Sequence, residues 1–308
     1  MRLPTEFRQR QVALFEAEGA AWLQQLPHCI ADIEQRWSVR IQPPFTNLSY
    51  NYVAPARLSD GTAVVFKAGF PRPELHREIE ALRFYDGRGM VRLLRAETER
   101  GIMLLERLQP GTPLIPQALR DDEAATRQAA QVMQQLWRSA PTDHDFPTVA
   151  DWGRGFVRLR AEFNGRTGPF PAKLVDTAEQ LFADLLASSA PPVLLHGDLH
   201  HDNILQAARQ PWLAIDPKGV IGEPAYEVGA LLRNPSPHIF RESPASLRRL
   251  QARRLDILAE ILDIERQRLW GWSLAQAVLS AWWSYEDGEP GWKPMLSLAA
   301  ELRSGVVA

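Results

Sequence analysis

The chain has 308 residues, of which 45% are hydrophobic and 23% are charged, and its formal net charge is -2. This is the composition of an ordinary globular protein, and the length allows one large domain or two lobes with a sizeable core. A nearly neutral chain has no overall positive field for a polyphosphate backbone, which argues against a nucleic acid as the main partner.

The single cysteine is Cys29. By itself it can form neither an internal disulfide nor a thiolate metal site, and it favours a reducing, cytoplasmic setting. The first residues, MRLPTEFRQRQ, contain no apolar run like that of a signal peptide. No stretch approaches the roughly 20 apolar residues that span a bilayer. We therefore expect a soluble cytoplasmic protein with no membrane partner.

The beginning of the chain predicts helical structure over residues 7–37. Apolar side chains recur there at helical spacing, namely at Phe15, Trp22, Leu23, Leu26, Ile30 and Ile33. Pro27 is expected to separate two helices, because proline lacks the amide proton that a helix interior uses. Pro43 and Pro44 end this pattern, so we expect a helical extension over residues 1–42.

Strand patterns follow the helical extension. Aromatic and β-branched residues flank the turn sequence Ser59-Asp60-Gly61-Thr62, which predicts an antiparallel hairpin that ends at Lys67. Apolar residues at helical spacing then predict a helix over 74–85. Two short strands are expected at 91–94 and 101–105.

The breaker-rich stretch at 109–113 predicts a boundary between lobes. We expect an N-terminal lobe over residues 1–108 and a C-terminal lobe over residues 109–308. The second lobe is predicted to be mainly helical, with helices over 125–136 and 173–186, a short strand at 193–195, and helical structure from 246 to the end. The predicted fold class is α+β, with a small antiparallel-sheet lobe followed by a larger, mainly helical lobe.

The segment from His196 to Asn203 is the most informative for chemistry. It places Asp198 and Asn203 in a loop bounded by apolar strands, and Asp216 ends a later short strand. Phosphoryl transfer requires a positioned hydroxyl and divalent cations that neutralise charge on the β- and γ-phosphates. Asp198 would accept the proton of the attacking hydroxyl, while Asn203 and Asp216 would bind Mg²⁺ through oxygen atoms.

The run HGDLHHDN, from His196 to Asn203, resembles the catalytic loop of the aminoglycoside phosphotransferases, a family similar in fold to protein kinases. The chain most resembles the streptomycin 6-kinase and hydroxyurea kinase branch of that family. The motifs that support this closer resemblance are spread over both lobes: Trp22-Leu23, Tyr85-Asp86-Gly87-Arg88-Gly89, Val91-Arg92-Leu93-Leu94, Leu104-Leu105-Glu106, and Ile215-Asp216-Pro217 followed by Gly219 and Gly222-Glu223.

The resemblance implies a bilobal protein-kinase-like fold that binds ATP and Mg²⁺ and phosphorylates a free hydroxyl of a small molecule. It implies that Lys67 grips the α- and β-phosphates and that Glu78 pairs with it from the following helix. It also implies that Glu106 and Leu108 belong to the hinge whose backbone groups meet adenine.

Two departures from the protein-kinase pattern affect these expectations. No GxGxxG loop precedes Lys67, and the corresponding stretch is Thr46-Asn47-Leu48-Ser49-Tyr50-Asn51-Tyr52. Backbone N–H groups and Ser49 would cover the phosphates instead. Asp216-Pro217-Lys218 replaces Asp-Phe-Gly, so we expect no switching of an activation loop.

Histidines of this loop have two interpretations. His196, His200 and His201 could form a metal cluster, but zinc needs three or four convergent ligands. His200 and His201 are adjacent and would point to opposite faces of an extended segment. The sequence therefore favours histidines that brace the loop, His196 above all.

Tryptophans and acidic residues near the C-terminus also have two interpretations. They are either core aromatics followed by a solvated acidic turn, or a wall that receives a cationic substrate through ion pairs and cation–π contacts. The residues predicted for such a wall are Trp283, Glu286 and Asp287, with Glu223 and Glu227 added from the segment after Asp216. An aminoglycoside would bind there if the family resemblance extends to the substrate.

Three alternatives remain at the level of sequence. A kinase of the same fold could act on a metabolite such as an amino alcohol or a sugar. A protein kinase is disfavoured, because the chain lacks an Ala-Pro-Glu motif and the arginine of His-Arg-Asp. A non-catalytic nucleotide-binding regulatory protein is disfavoured by the complete set of Lys67, Asp198, Asn203 and Asp216.

Overall fold

The structure is a computed structural model, and it describes residues 3–305. Contacts divide the chain into two compact units, Met1–Gly111 and Thr112–Ala308. Residues 1–2 and 306–308 belong to the predicted helical ends of the chain and lie outside the described part. Among the helices that are described, none combines the length and the hydrophobicity needed to cross a bilayer.

The first unit contains a five-stranded sheet and two long helices. The sheet has the order β1-β2-β3-β5-β4, and every neighbouring pair is antiparallel. The elements are α1 (Thr5–Trp37), β1 (Val39–Ile41), β2 (Tyr52–Leu58), β3 (Ala63–Ala68), α2 (Pro73–Tyr85), β4 (Leu93–Glu97) and β5 (Ile102–Glu106).

The hairpin of β2 and β3 forms as the sequence predicts. Its turn is closed by Asp60, whose side chain accepts a hydrogen bond from the Thr62 amide at 2.8 Å, and Gly61 supplies a positive φ of 86°. Side chains alternate along β3, so that Phe66 enters the core and Lys67 lies on the opposite face of the sheet.

One face of this sheet is covered by α1. Leu26, Ile33 and Trp37 of the helix pack in one cluster with Phe66 and Leu104 of the strands. Burial of these side chains removes apolar surface from water, which stabilises the folded state by about 25 cal/mol for each Å² buried. The helical extension is thus an integral layer of the first unit.

The break in α1 lies at Glu16, where φ is 48° and ψ is -125°. A Cβ placed on Gly19 would lie 2.3 Å from the carbonyl oxygen of Gln11. In a continuous helix these two residues would be about 12 Å apart along the axis, so the segments before and after Glu16 fold back on each other. The prediction that Pro27 separates two helices was wrong. Pro27 lies inside α1, because burial of Leu26 on the sheet offsets the lost hydrogen bond.

The second unit is mainly helical, which confirms the predicted α+β class. It contains β6 (Pro110–Pro113), in which the division between the units falls, α3 (Ile115–Arg120), α4 (Asp122–Leu136), α5 (Val149–Glu162), α6 (Ala172–Ala187), β7 (Val193–Leu195), β8 (Ile204–Ala207), β9 (Trp212–Ala214), β10 (Val220–Gly222), α7 (Val228–Leu232), α8 (Pro244–Leu262), α9 (Arg266–Glu286) and α10 (Trp292–Gly305).

Two short sheets position the loops of the second unit. β7 pairs with β10, and β8 pairs with β9, both antiparallel. α9 runs through the core of the unit, and its residues from Leu269 to Leu279 are buried on every side. Burial on every side indicates that other elements surround this part of α9.

Gly153 of α5 lies where α5 packs closely against α6. A Cβ at this position would lie 2.3 Å from one atom of the Phe182 ring and 2.7 Å from the next. The ring cannot retreat freely, because it packs edge-on against Trp272 at 5.1 Å. We expect Gly153→Ala to lower the free energy of unfolding by about 1–3 kcal/mol, although alanine is the better helix former.

Chemical denaturation measures this change. Val157→Ala on the same helix is the control, because Val157 is 68% exposed and its truncation should shift stability by no more than about 0.5 kcal/mol. A Gly153→Ala protein as stable as the wild type would contradict the packing described here.

Candidate active site

Lys67 and Glu78 form a buried ion pair in the first unit. Lys67 lies on β3 and Glu78 on α2, and Lys67 Nζ is 2.5 Å from Glu78 Oε1. Their side chains are 3% and 9% exposed. Burial of an ammonium group is costly unless it is paired, so Glu78 fixes where the positive charge of Lys67 lies.

The loop of residues 46–51, between β1 and β2, precedes Lys67 in the chain. The Phe45 amide donates to the Val53 carbonyl at 3.0 Å and closes the base of the loop. Ser49 is exposed within it. A ligand can therefore reach the side chain of Ser49.

Of the hinge residues predicted to meet adenine, Glu106 ends β5 and Leu108 follows that strand. Glu106 donates its amide to the Arg92 carbonyl and accepts the Arg92 amide through Oε1, both at 3.0 Å. The amide of Glu106 is therefore used within the first unit. Leu108 is 7% exposed and adds an apolar side chain to this region.

His196 organises the catalytic loop of the second unit. Its ring is fully buried, and burial lowers its pKa to about 4, so the imidazole is neutral at pH 7. The Nε2 atom lies 2.7 Å from the Ile215 carbonyl and donates to it, while Nδ1 accepts the Asp198 amide at 3.2 Å. The expected bracing role of His196 is confirmed by these contacts.

Asn203 connects the two acidic candidates. Asn203 Nδ2 donates to the Asp198 carbonyl at 2.9 Å, and the Ile215 amide donates to the Asn203 carbonyl at 2.9 Å. Antiparallel pairing of β8 with β9 continues to this point. Asn203 therefore lies between Asp198 and the residue that precedes Asp216, and the structure brings the three predicted residues into one cluster of loops.

The donor set suits a hard cation. Asn203 Nδ2 donates to the Asp198 carbonyl, and the side-chain oxygen of Asn203 and the carboxylate of Asp216 are the oxygen ligands predicted for Mg²⁺. Among residues 3–305, no three His, Cys, Asp or Glu side chains group so that they could hold a metal unaided. Mg²⁺ bound here would therefore take its remaining ligands from phosphate oxygens and water, which is its usual habit in kinase sites.

Glu227 was predicted to line a substrate wall, and the structure contradicts this. It is 1% exposed, and its carboxylate accepts the amides of His196 at 2.7 Å and Gly197 at 2.9 Å. Burial raises the pKa of Glu227 to about 7. A buried carboxylate needs such donors, so Glu227 fixes the backbone at the start of the loop of residues 196–203.

Arg233 is a site residue that the sequence analysis missed. Its Nη2 atom lies 3.6 Å from Asp198 Oδ1, and the residue is 8% exposed. Gln276 accepts a hydrogen bond from the same guanidinium. An arginine directly after the apolar run Val228–Leu232 was a usable signal, because buried arginines are almost always paired.

Glu223 was also predicted for the substrate wall, and that prediction was wrong. It is 3% exposed and accepts hydrogen bonds from Arg268 Nε at 2.7 Å and Arg268 Nη2 at 2.8 Å. Trp272 Nε1 and the Ala190 amide donate to it as well. Its carboxylate oxygens are therefore occupied inside the second unit.

The acidic C-terminal region forms a pocket of about 920 Å³. The pocket lies where α5 and α9 end and α10 begins. Its charged and aromatic lining residues are Arg158, Glu162, Trp282, Tyr285, Glu286, Glu289 and Trp292. Glu286 receives two hydrogen bonds from Arg158, at 2.6 and 2.8 Å. Three carboxylates against one guanidinium leave the lining acidic.

The remaining predicted wall residues, Asp287 and Trp283, are sequence neighbours of residues that line this pocket. Asp287 follows Glu286, and burial together with the charges of Glu286 and Glu289 raises its pKa. Trp283 packs edge-on against Trp152 at 5.6 Å. Trp152 in turn lies against the catalytic loop, since a Cβ on Gly197 would be 2.8 Å from its ring. An aromatic layer thus extends from the loop of Asp198 to α9.

Comparisons with known proteins show which family the chain is similar to. A family model described as aminoglycoside/hydroxyurea antibiotic resistance kinase matches residues 36–288. The chain is 30% identical over 305 residues to a streptomycin 6-kinase of Streptomyces glaucescens, covering 98% of this chain and 97% of the relative. It is 32% identical over 296 residues to a hydroxyurea phosphotransferase of Kitasatospora aureofaciens, covering 94% of this chain and 82% of the relative.

A solved structure shows the same fold. A choline kinase from Streptococcus pneumoniae matches with a TM-score of 0.59 at 11% identity, over 92% of this chain and 99% of that chain. At this identity the match bears on the fold alone. It confirms the predicted bilobal, protein-kinase-like fold.

Acid should destabilise the protein through His196. Its pKa is about 4 in the folded protein, against an ordinary histidine value of 6.5, so between these values the unfolded chain binds a proton that the folded chain does not. Stability should therefore fall as the pH drops from 6.5 to 4, by about 3 kcal/mol from this group.

Denaturation curves across this pH range, for the wild type and for His196→Gln, measure the effect. The variant should lose less stability on acidification than the wild type does. The exposed His28, changed to glutamine, is the control and should follow the wild type. Parallel curves for the wild type and His196→Gln would show that the imidazole is not held neutral.

Proposed function

The chain belongs to the aminoglycoside/hydroxyurea antibiotic resistance kinase family, and we propose that Asp198 is its catalytic base. This family membership makes the protein an ATP-dependent small-molecule kinase. We propose further that a cationic aminoglycoside such as streptomycin is its acceptor. The observation that supports the catalytic assignment is the bridge of His196 and Asn203, which orients the Asp198 backbone and joins it to the strand before Asp216.

Asp198 would act on the acceptor hydroxyl. Its side chain is 31% exposed, so a ligand can reach it, and Asn203 holds its backbone in place. The carboxylate accepts the hydroxyl proton as the oxygen attacks. Arg233 Nη2 lies 3.6 Å from Asp198 Oδ1 and places a positive charge beside this carboxylate.

In the first unit Lys67 would bind the ATP phosphates, and in the second unit Asn203 and Asp216 would bind Mg²⁺. ATP supplies the phosphoryl group, and Mg²⁺, when bound, offsets charge on the phosphates. Lys67 presents a positive charge whose position is set by Glu78. Asn203 and Asp216 provide oxygen ligands, and Ser49 adds an exposed hydroxyl in the loop before Lys67.

The acidic pocket supports a cationic acceptor. Glu162, Glu286 and Glu289 attract positive charge, and Tyr285 and Trp292 add aromatic rings to the lining. A volume of about 920 Å³ matches a drug-sized ligand. Hydroxyurea, which one relative's name includes, is small and uncharged, so it would use neither the size nor the charge of this pocket.

Removing the carboxylate of Asp198 tests the catalytic assignment. Asp198→Asn should reduce turnover by about 10²–10⁴-fold, the usual contribution of a positioned base, while ATP binding stays near the wild-type value. Coupled ADP release measures turnover, and calorimetry measures ATP binding. Asp202→Asn, on the same loop and 51% exposed at its side chain, is the control. Wild-type turnover in Asp198→Asn would remove the proposed role.

A substrate panel tests the acceptor. ADP release with Mg²⁺-ATP should be stimulated by streptomycin more than by other aminoglycosides, hydroxyurea or small amino alcohols. Glu289→Gln should raise the KM for streptomycin roughly two- to fivefold, the effect of one partly exposed charge, and leave the KM for ATP unchanged. Glu242→Gln, an exposed carboxylate outside the pocket, is the control. If streptomycin does not stimulate turnover, the acceptor proposal fails.

A further inference from the structure

The segment before Glu16, residues 5–15, folds back on the rest of α1 and packs against the loop of residues 46–51. We propose that this segment, which we call the N-terminal brace, holds that loop in the conformation that covers the ATP phosphates, and that Gln11 is its positioning residue. The inference rests on the proposed function, because it assigns the loop to the nucleotide.

Gln11 makes the central contact. Its side chain is fully buried, and its Nε2 atom donates to the Tyr50 carbonyl at 2.8 Å. Its Oε1 atom has no hydrogen-bond partner among the described residues. A buried amide is unfavourable unless its polar atoms are bonded. Placing a glutamine here is therefore difficult to explain by packing alone, and its one bond is made to the loop, next to Ser49.

Aromatic and cationic side chains reinforce this contact. The guanidinium of Arg10 lies 5.5 Å from the centre of the Tyr50 ring, and that of Arg72 lies 5.8 Å from it. Phe15, at the end of the brace, stacks on Phe70 at 4.5 Å with an angle of 15°. Tyr50 is thus held by the brace and by the segment that leads into α2.

The far end of the brace is fixed in the core. Phe7 is 1% exposed and packs edge-on against Trp22 at 6.3 Å. Gly19 permits the close return of the chain, since a Cβ there would lie 2.3 Å from the Gln11 carbonyl. The brace therefore connects the core of the first unit to the loop and cannot move independently of either.

A physical reason links the brace to ATP affinity. The loop lacks the glycine-rich pattern of protein kinases, and its exposed residues would lose conformational entropy on closing over phosphates. A brace that orders the loop during folding removes that entropy loss from the binding step.

The test is Gln11→Ala. Loss of the buried hydrogen bond should raise the Kd and the KM for Mg²⁺-ATP about tenfold, while kcat and the KM for the acceptor stay within about twofold of the wild type. Amide hydrogen exchange at residues 47–51 should become faster. Gln9→Ala, on an exposed position of the same segment, should behave as the wild type.

A second variant covers the case in which Gln11→Ala does not fold. Phe15→Ala removes the stack on Phe70 without touching a buried polar group, and should also weaken ATP binding. The proposal is overturned if both variants fold and bind ATP like the wild type, or if both KM values and kcat change in parallel with Tm. Failure of the wild type to bind ATP would instead refute the proposed function, which calorimetry of the wild type distinguishes.

Discussion

The candidate active site depends on one buried carboxylate, that of Glu227. It accepts the amides of His196 and Gly197 and so sets the backbone from which Asp198 projects. Gly197 is required at this point, because φ is 81° and a Cβ would lie 2.8 Å from the Trp152 ring. The raised pKa of Glu227, about 7, is the consequence of placing a charge in the core to align a loop.

Buried charge recurs wherever the proposed chemistry needs a fixed group. Lys67 pairs with Glu78, and Arg233 lies beside Asp198. Such pairs add little to stability, because the loss of hydration offsets the attraction between the charges. Their effect is geometric, since a buried charge has few positions in which its partners satisfy it. The acidic pocket differs in that its carboxylates remain near solvent and can exchange water for a cationic ligand.

The first unit shows the same division between fixed and adaptable parts. Lys67 is held on a strand of the sheet, whereas Ser49 lies on a loop whose order depends on contacts from α1. Covering the sheet with a long helix supplies core burial. Folding the start of that helix back supplies a contact to the loop. One helical extension thus stabilises the lobe and organises its ligand-facing edge.

Local patterns were sufficient for much of the fold and for the central residues of the candidate site. The hairpin ending at Lys67, the helix that carries Glu78 and the strand before His196 follow from short-range periodicity and turn chemistry, which depend on neighbours in sequence. The loop with Asp198 and Asn203 was found from the spacing of these residues between apolar strands and from its resemblance to the catalytic loop of the aminoglycoside phosphotransferases. The short strands β1 and β10 escaped prediction.

Burial and long-range packing were decided only by the tertiary structure. Glu223, Glu227 and Glu286 look alike in sequence, yet the first two are enclosed and bonded internally while the third lines a pocket. The break in α1 falls at Glu16 and not at Pro27, because folding back buries Phe7 and Gln11. Arg233 meets Asp198 across a separation along the chain that no local pattern reports. The sequence determines the chemistry of each side chain, but the fold determines its exposure to solvent and the groups that it contacts, and these decide its role.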